Sequence, residues 1–207
     1  MSENSETNYK FVFDTETTGL PSSSLDLDRQ PYVCQFGAVI YDCDGEKLTE
    51  IRRINELIKP AVSIPQECTF IHGLTDEMVA NSPSFAQLAD MIVEAFHEAD
   101  VAVAHNLSFD EQILGFELER LGYGKDFLPE QRFDTMKSTR ELCRLPGRRP
   151  GRFKSPKLIE LHQHLFSAGF EGAHDAMGDV LATGRCLGAL LQQGIFKPDE
   201  PVQNQLF

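Results

Sequence analysis

The chain has 207 residues, of which 41% are hydrophobic, so it can fold as one domain around a real core. Its net charge is −13, it opens on the polar, acidic MSENSETNYK, and no apolar run nears the ~20 residues of a bilayer span, so a membrane partner is excluded and a cytoplasmic location is expected. Five scattered cysteines (Cys34, Cys43, Cys68, Cys143 and Cys186) form no C-x-x-C pair, which argues against a disulfide framework or zinc ribbon and for free thiols.

Residues 1–8 read as a disordered lead-in. Residues 9–15 alternate in strand fashion and are rich in aromatic and β-branched types. The loop 21–31, PSSSLDLDRQP, is longer than a hairpin needs. Strands over 33–41 and 47–58, joined at Asp44-Gly45, complete an antiparallel meander. Pro83-Ser84 opens a helix carrying Phe85, Leu88, Ile92, Val93 and Phe96 at helical spacing. A short buried strand over 101–104 precedes a helix over 108–121 that stops at Gly122. A fifth strand is expected at 132–134, a helix from Ser155-Pro156 to about 168, and a last helix from an Asp175 cap to 193, stopped by Gly194. The expected fold class is α/β: a mixed five-stranded sheet flanked by helices, spanning 9–194, with 195–207 as a tail.

Four carboxylates and a histidine stand at the ends of these elements: Asp14 and Glu16 in FVFDTETTG, Asp110 in VAVAHNLSFD, and His174 and Asp179 in GAHDAMGDV. Two apart on a strand, Asp14 and Glu16 share a face and can hold one metal. Five helical steps from His174 to Asp179 turn by about 500°, leaving the two roughly 140° apart. His174 therefore belongs in the loop before the helix, with Asp179 inside it. Singly, each residue has an ordinary alternative: Asp14 in a turn, Glu16 in solvent, Asp110 as a helix cap, His174 in a surface loop. Asp179 is harder to dismiss, because it lies beside Val180 and Leu187 on a core-facing helix. Carboxylates converging at one end of a sheet are how a protein holds divalent cations against a phosphodiester.

In order, these segments resemble the DEDDh group of 3′→5′ exonucleases, the DnaQ-like family that includes the proofreading subunits of bacterial replicative polymerases. The likeness covers residues 9–194: D-x-E at Asp14 and Glu16, the AHNLSFD segment ending at Asp110, H-x4-D at His174 and Asp179, and IHGLTDE over 71–77. It implies a ribonuclease H-like fold and two Mg²⁺ or Mn²⁺ ions held by Asp14, Glu16, Asp110 and Asp179. Asp14 would bridge both ions, Glu16 and Asp179 would hold the water-side ion, Asp110 would help the other, and His174 would be the general base. Imidazole suits that task because its ordinary pKa lies near ~6.5. The implied activity is release of nucleoside 5′-monophosphates from single-stranded or frayed 3′ ends, of DNA first, in proofreading or trimming. An exoribonuclease is the alternative, and a non-catalytic scaffold for nucleic acid or a polymerase subunit is the rival of another class.

Substrate contacts are expected from the Thr17, Thr18 and Gly19 turn and from Phe109, which would touch a base. His105 and Asn106 either orient their loop or contact substrate. The acidic body carries one basic stretch, Lys137, Arg140, Arg144, Arg148, Arg149, Arg152, Lys154 and Lys157 against Glu141 alone, in which Arg148, Arg149 and Arg152 are expected to meet phosphates. His162 and His164, two apart on a helix, read as ordinary helix residues. Finally, Gln203, Asn204, Gln205, Leu206 and Phe207 resemble the Q-x-x-L-F pentapeptide that docks on bacterial sliding clamps; packing on the protein's own surface or across a dimer is the alternative.

Overall fold

The computed structural model describes residues 8–124, 126–149 and 151–198. The 203–207 pentapeptide and nearly all of the lead-in lie outside them. Strands β1 (Tyr9–Thr17), β2 (Val33–Asp44) and β3 (Lys47–Leu57) form the antiparallel meander. A 3₁₀ turn (Leu27–Arg29) interrupts the loop between β1 and β2. Two short helices, α1 (Gln66–His72) and α2 (Asp76–Val79), lead to α3 (Phe85–His97). Then follow β4 (Val101–Ala104), α4 (Leu107–Arg120) and β5 (Gln131–Asp134). The chain continues through α5 (Thr135–Ser138), α6 (Arg140–Cys143), α7 (Leu158–Phe166) and α8 (Ala176–Gln192). The sheet order is β3-β2-β1-β4-β5, with β4 parallel to β1 and β5 parallel to β4. This is the expected mixed five-stranded sheet flanked by helices.

The alternation along β1 divides the core in two. Phe11 and Phe13 face α3 and α4, where Phe96 meets their rings edge-on at 4.5 and 4.8 Å. Val12 faces the other way, with Val39, Val101, Val103 and Phe133, against Val180, Leu187 and Leu190 of α8. Period two therefore sends Thr15 toward α4, and Asp14 and Glu16 toward α8.

The sequence missed α1, α2, α5 and α6, each too short to show a period. The helix expected from 155 to 168 is shorter, because Ser167 takes a left-handed conformation (φ 56°) that ends it. Packing also runs past Gly194: Phe196 is buried against Phe133, 4.8 Å between ring centroids, so the start of the expected tail belongs to the core. The five cysteines are free and buried. Among the described residues no helix is long and apolar enough to cross a membrane.

Candidate active site

The parallel strands β1 and β4 end at the same edge of the sheet, and α8 begins over it. One oxygen each from Asp14, Glu16 and Asp179 lies within 4.8 Å of the others. Two features of β2 bring α8 there. Gly37 is paired with Asp14, and a Cβ on it would stand 2.8 Å from the Ala176 carbonyl carbon, so the bare glycine lets the first turn of α8 lie on the sheet. Gln35, paired with Glu16, donates from Nε2 to Asp175 at 2.8 Å and accepts from the Ala176 N–H at 3.2 Å. Asp175 in turn caps α8, accepting from the Gly178 N–H at 2.9 Å.

Asp110 arrives from the opposite face. It sits buried in the first turn of α4, and its Oδ1 accepts from the Thr15 N–H (3.0 Å) and hydroxyl (2.8 Å). It thus grips the strand between the two acids while remaining outside the closest group of three. The turn that delivers it is held by Asp134, which accepts from the Asn106 N–H at 3.2 Å and caps α5.

The electrostatics are those of an uncompensated anion cluster. Burial raises the pKa of Asp14 well above the carboxylate range, and the charges of Asp110, Asp179, Glu16 and Asp175 add to it. Burial, then the charges of Asp179, Asp110 and Asp175, push Glu16 to about 8. Burial raises Asp110 to about 7 against the Thr15 hydrogen bonds, and Asp179 to about 6 against the His174 N–H.

His174 is in the loop before α8, as the spacing required. It is exposed, has φ 65°, and its N–H donates to Asp179 Oδ2 at 3.2 Å. Its loop lies tight over the helix: a Cβ on Gly178 would fall 2.1 Å from the Gly172 carbonyl oxygen. His72, at the end of α1, borders the same site. Its Nδ1 accepts from the Leu74 N–H at 3.1 Å, so the proton sits on Nε2, 3.3 Å from the Thr17 carbonyl.

The other expected contacts divide. The Thr17 hydroxyl donates to the Gly19 carbonyl at 2.7 Å and the Thr18 hydroxyl accepts from the Tyr32 N–H at 2.9 Å, so both build the turn. His105 makes contacts within the protein that suit the loop-orienting alternative. Nε2 meets the Pro156 carbonyl at 3.1 Å and Nδ1 the Thr135 hydroxyl at 3.0 Å, leaving no ring nitrogen for a substrate. Asn106 takes a left-handed conformation (φ 78°) as the cap residue of α4, and Phe109 is half-buried against the α3/α4 core. Arg148, Arg149 and Arg152 are exposed on a hairpin pinned by a Pro146–Phe153 bridge and by the Gly147 N–H on the Arg152 carbonyl, 2.8 Å. His162 is a helix residue: Nδ1 meets the Ala168 carbonyl at 2.8 Å, and Nε2 accepts from Arg185 at 3.3 Å.

The family model described as Exonuclease matches residues 11–187, from the first core residue of β1 to beyond Asp179. The chain belongs to the exonuclease family. An exonuclease of Escherichia phage 186, CP81, is 30% identical over 190 residues, covering 89% of each chain. The DNA polymerase III subunit epsilon of Treponema pallidum is 38% identical over 107 residues, 52% of this chain and 45% of that one. The chain thus matches under half the length of that relative. In fold, this exonuclease is similar to the nuclease domain of 3′hExo, a DEDDh family member solved with rAMP, at a TM-score of 0.71 and 14% identity over 92% and 95% of the two chains.

Sequence reasoning missed the parts of this exonuclease that hold the acids in place: Thr15, Gln35, Gly37 and Gly178. Gly37 carried a usable signal, since a glycine inside an apolar strand marks a close backbone approach.

Proposed function

We propose that the chain is a metal-dependent 3′→5′ exonuclease that releases nucleoside 5′-monophosphates from single-stranded or frayed 3′ ends, DNA first. The convergence of Asp14, Glu16 and Asp179 within 4.8 Å carries this reading. The four carboxylates would hold two Mg²⁺ or Mn²⁺ ions, whose positive charge would offset that of the reacting phosphate and acidify the attacking water. Asp14, Glu16 and Asp179 would bind from the α8 face, and Asp110 from the α4 face. His174 stands at the rim, where a ring nitrogen can take the proton of that water. The water oxygen bonds to phosphorus, the bond to the preceding 3′ oxygen breaks, and that oxygen leaves as a hydroxyl protonated by solvent. The backbone of the Thr17–Gly19 turn receives the terminal nucleotide, Phe109 and Asn106 flank it, and Arg148, Arg149 and Arg152 meet phosphates further along.

The test is a pair of oligonucleotides, one DNA and one RNA, labelled at the 3′ end and incubated with and without Mg²⁺. Release of labelled mononucleotide from DNA only with Mg²⁺ is expected. Faster release from RNA would move the substrate class, and no release from either would leave the scaffold reading.

A further inference from the structure

Within the loop between β1 and β2, the Gln30 amide ties Ser22 and Leu25, at 2.6 and 2.8 Å from Nε2; from outside it, α4 reaches in with an arginine. Arg120, in the last turn of α4, is largely buried. Its Nη2 donates to the carbonyls of Gln30 (2.7 Å), Leu27 (2.9 Å) and Pro31 (3.2 Å). Nε adds a second bond to Leu27 at 3.2 Å, and Nη1 a second to Pro31 at 3.2 Å. Its plane lies over the Tyr32 ring, 3.8 Å from the centroid. Glu117 orients the guanidinium at 3.1 Å and accepts the Val33 N–H at 2.8 Å, so the pair fixes the loop and the first residue of β2. Only a planar fork of five donors serves several carbonyls and a ring at once.

The loop passes this constraint to the turn beside the acids. Tyr32 and Thr18 are tied twice: the Thr18 N–H donates to the Tyr32 carbonyl, and the Tyr32 N–H to the Thr18 hydroxyl, both at 2.9 Å. Thr18 is two residues beyond Glu16, where the register of β1 on β2 shifts. The loop and the turn together line an open cleft of about 270 Å³ that includes Thr18, Gly19, Leu20, Arg29 and Val62. One helix thus grips the end of β1 at two points: Asp110 through Thr15, and Arg120 through the loop to Thr18.

We propose that Arg120 is a positioning residue for nucleotide binding: through the 27–32 loop it holds the Thr17–Gly19 turn in the shape that receives the terminal nucleotide. The inference rests on the exonuclease reading for its ligand, and on the hydrogen bonds above for its mechanics. Without the fork, the turn loosens while the carboxylates, held by α8 and by Thr15, keep their places. Nucleotide binding should therefore suffer and metal binding should not.

The experiment compares the full chain with Arg120→Met and Arg120→Lys. Four quantities are measured: amide exchange, Mn²⁺ affinity by calorimetry, dTMP affinity in Mn²⁺, and kcat and KM on a single-stranded oligonucleotide. Both variants should raise KM and weaken dTMP roughly tenfold, with kcat within about threefold and Mn²⁺ affinity unchanged. Exchange should quicken at residues 18–33 and stay slow in β1 and α8. Lysine keeps the charge but not the fork, so it should not rescue; it also decides the matter if the methionine variant fails to fold. Unchanged KM, unchanged dTMP affinity, or exchange that quickens throughout the sheet overturns the inference. A wild type that cleaves nothing sinks the exonuclease reading instead, and the exchange and dTMP arms then decide the role of Arg120 alone.

Discussion

At the residue scale, the site is a set of acids that destabilise one another until a cation enters. Each of the raised carboxyls binds its proton more tightly folded than unfolded. The stability the cluster contributes is therefore greatest below the ordinary carboxylate range near ~4, and drains as pH rises through about 6, 7 and 8, the values reached by Asp179, Asp110 and Glu16. Asp14→Asn removes the most crowded charge at constant size. Without metal, its melting temperature should exceed that of the wild type by a margin that widens from pH 5 to pH 8; Mg²⁺ should raise the wild type far more than the variant, and cleavage should fall by ~10²-fold or more. Near-normal cleavage by Asp14→Asn in Mg²⁺ would dismiss the site. His174→Ala leaves the acids in place, so Mn²⁺ affinity should hold while turnover drops roughly 10²–10⁴-fold. A fully active His174→Ala enzyme would remove that residue from the chemistry.

At the element scale, the geometry depends on how closely α8 lies on β2. Gly37→Ala places a methyl 2.8 Å from the Ala176 backbone, so helix and strand must part. A displacement of ~1 Å should cost about 10²-fold in turnover, and the overpacking about 1–3 kcal/mol. Kinetics and thermal melts of the variant check both; activity equal to wild type would mean that Asp179 does not need this seat. The arginine hairpin is the second element with a measurable task. If Arg148, Arg149 and Arg152 meet phosphates, changing all three to Gln should weaken oligonucleotides of every sequence alike and flatten the dependence of log affinity on log salt by up to roughly three ions. Weaker affinity with an unaltered salt slope would mark the change as structural.

At the scale of the whole molecule, the clamp contact expected from the resemblance of Gln203 to Phe207 concerns residues outside those described. Truncation after Gln205 should abolish binding to a bacterial sliding clamp and leave cleavage of short oligonucleotides unaltered, because Asp14, Glu16, Asp110 and Asp179 all lie in the folded body. A truncated chain that melts earlier, with no clamp affinity in the wild type to lose, would make the pentapeptide structural. What the sequence determined by itself was whatever has a short period or a local signature. The two-residue alternation put Asp14 and Glu16 on one face, the five-residue step placed His174 in the loop before Asp179, and turn and cap residues delimited the long elements. What only the tertiary structure decided joins distant segments: Asp110 reaching Thr15 from the opposite face, Gly37 and Gln35 seating α8, His105 turned onto Pro156, and Arg120 holding the loop next to Thr18. Those contacts arise from how two helices pack on opposite faces of one sheet. Gly37 apart, whose place inside an apolar strand marks a close approach, no local pattern encodes that packing, because each partner's residue type is ordinary for its own position.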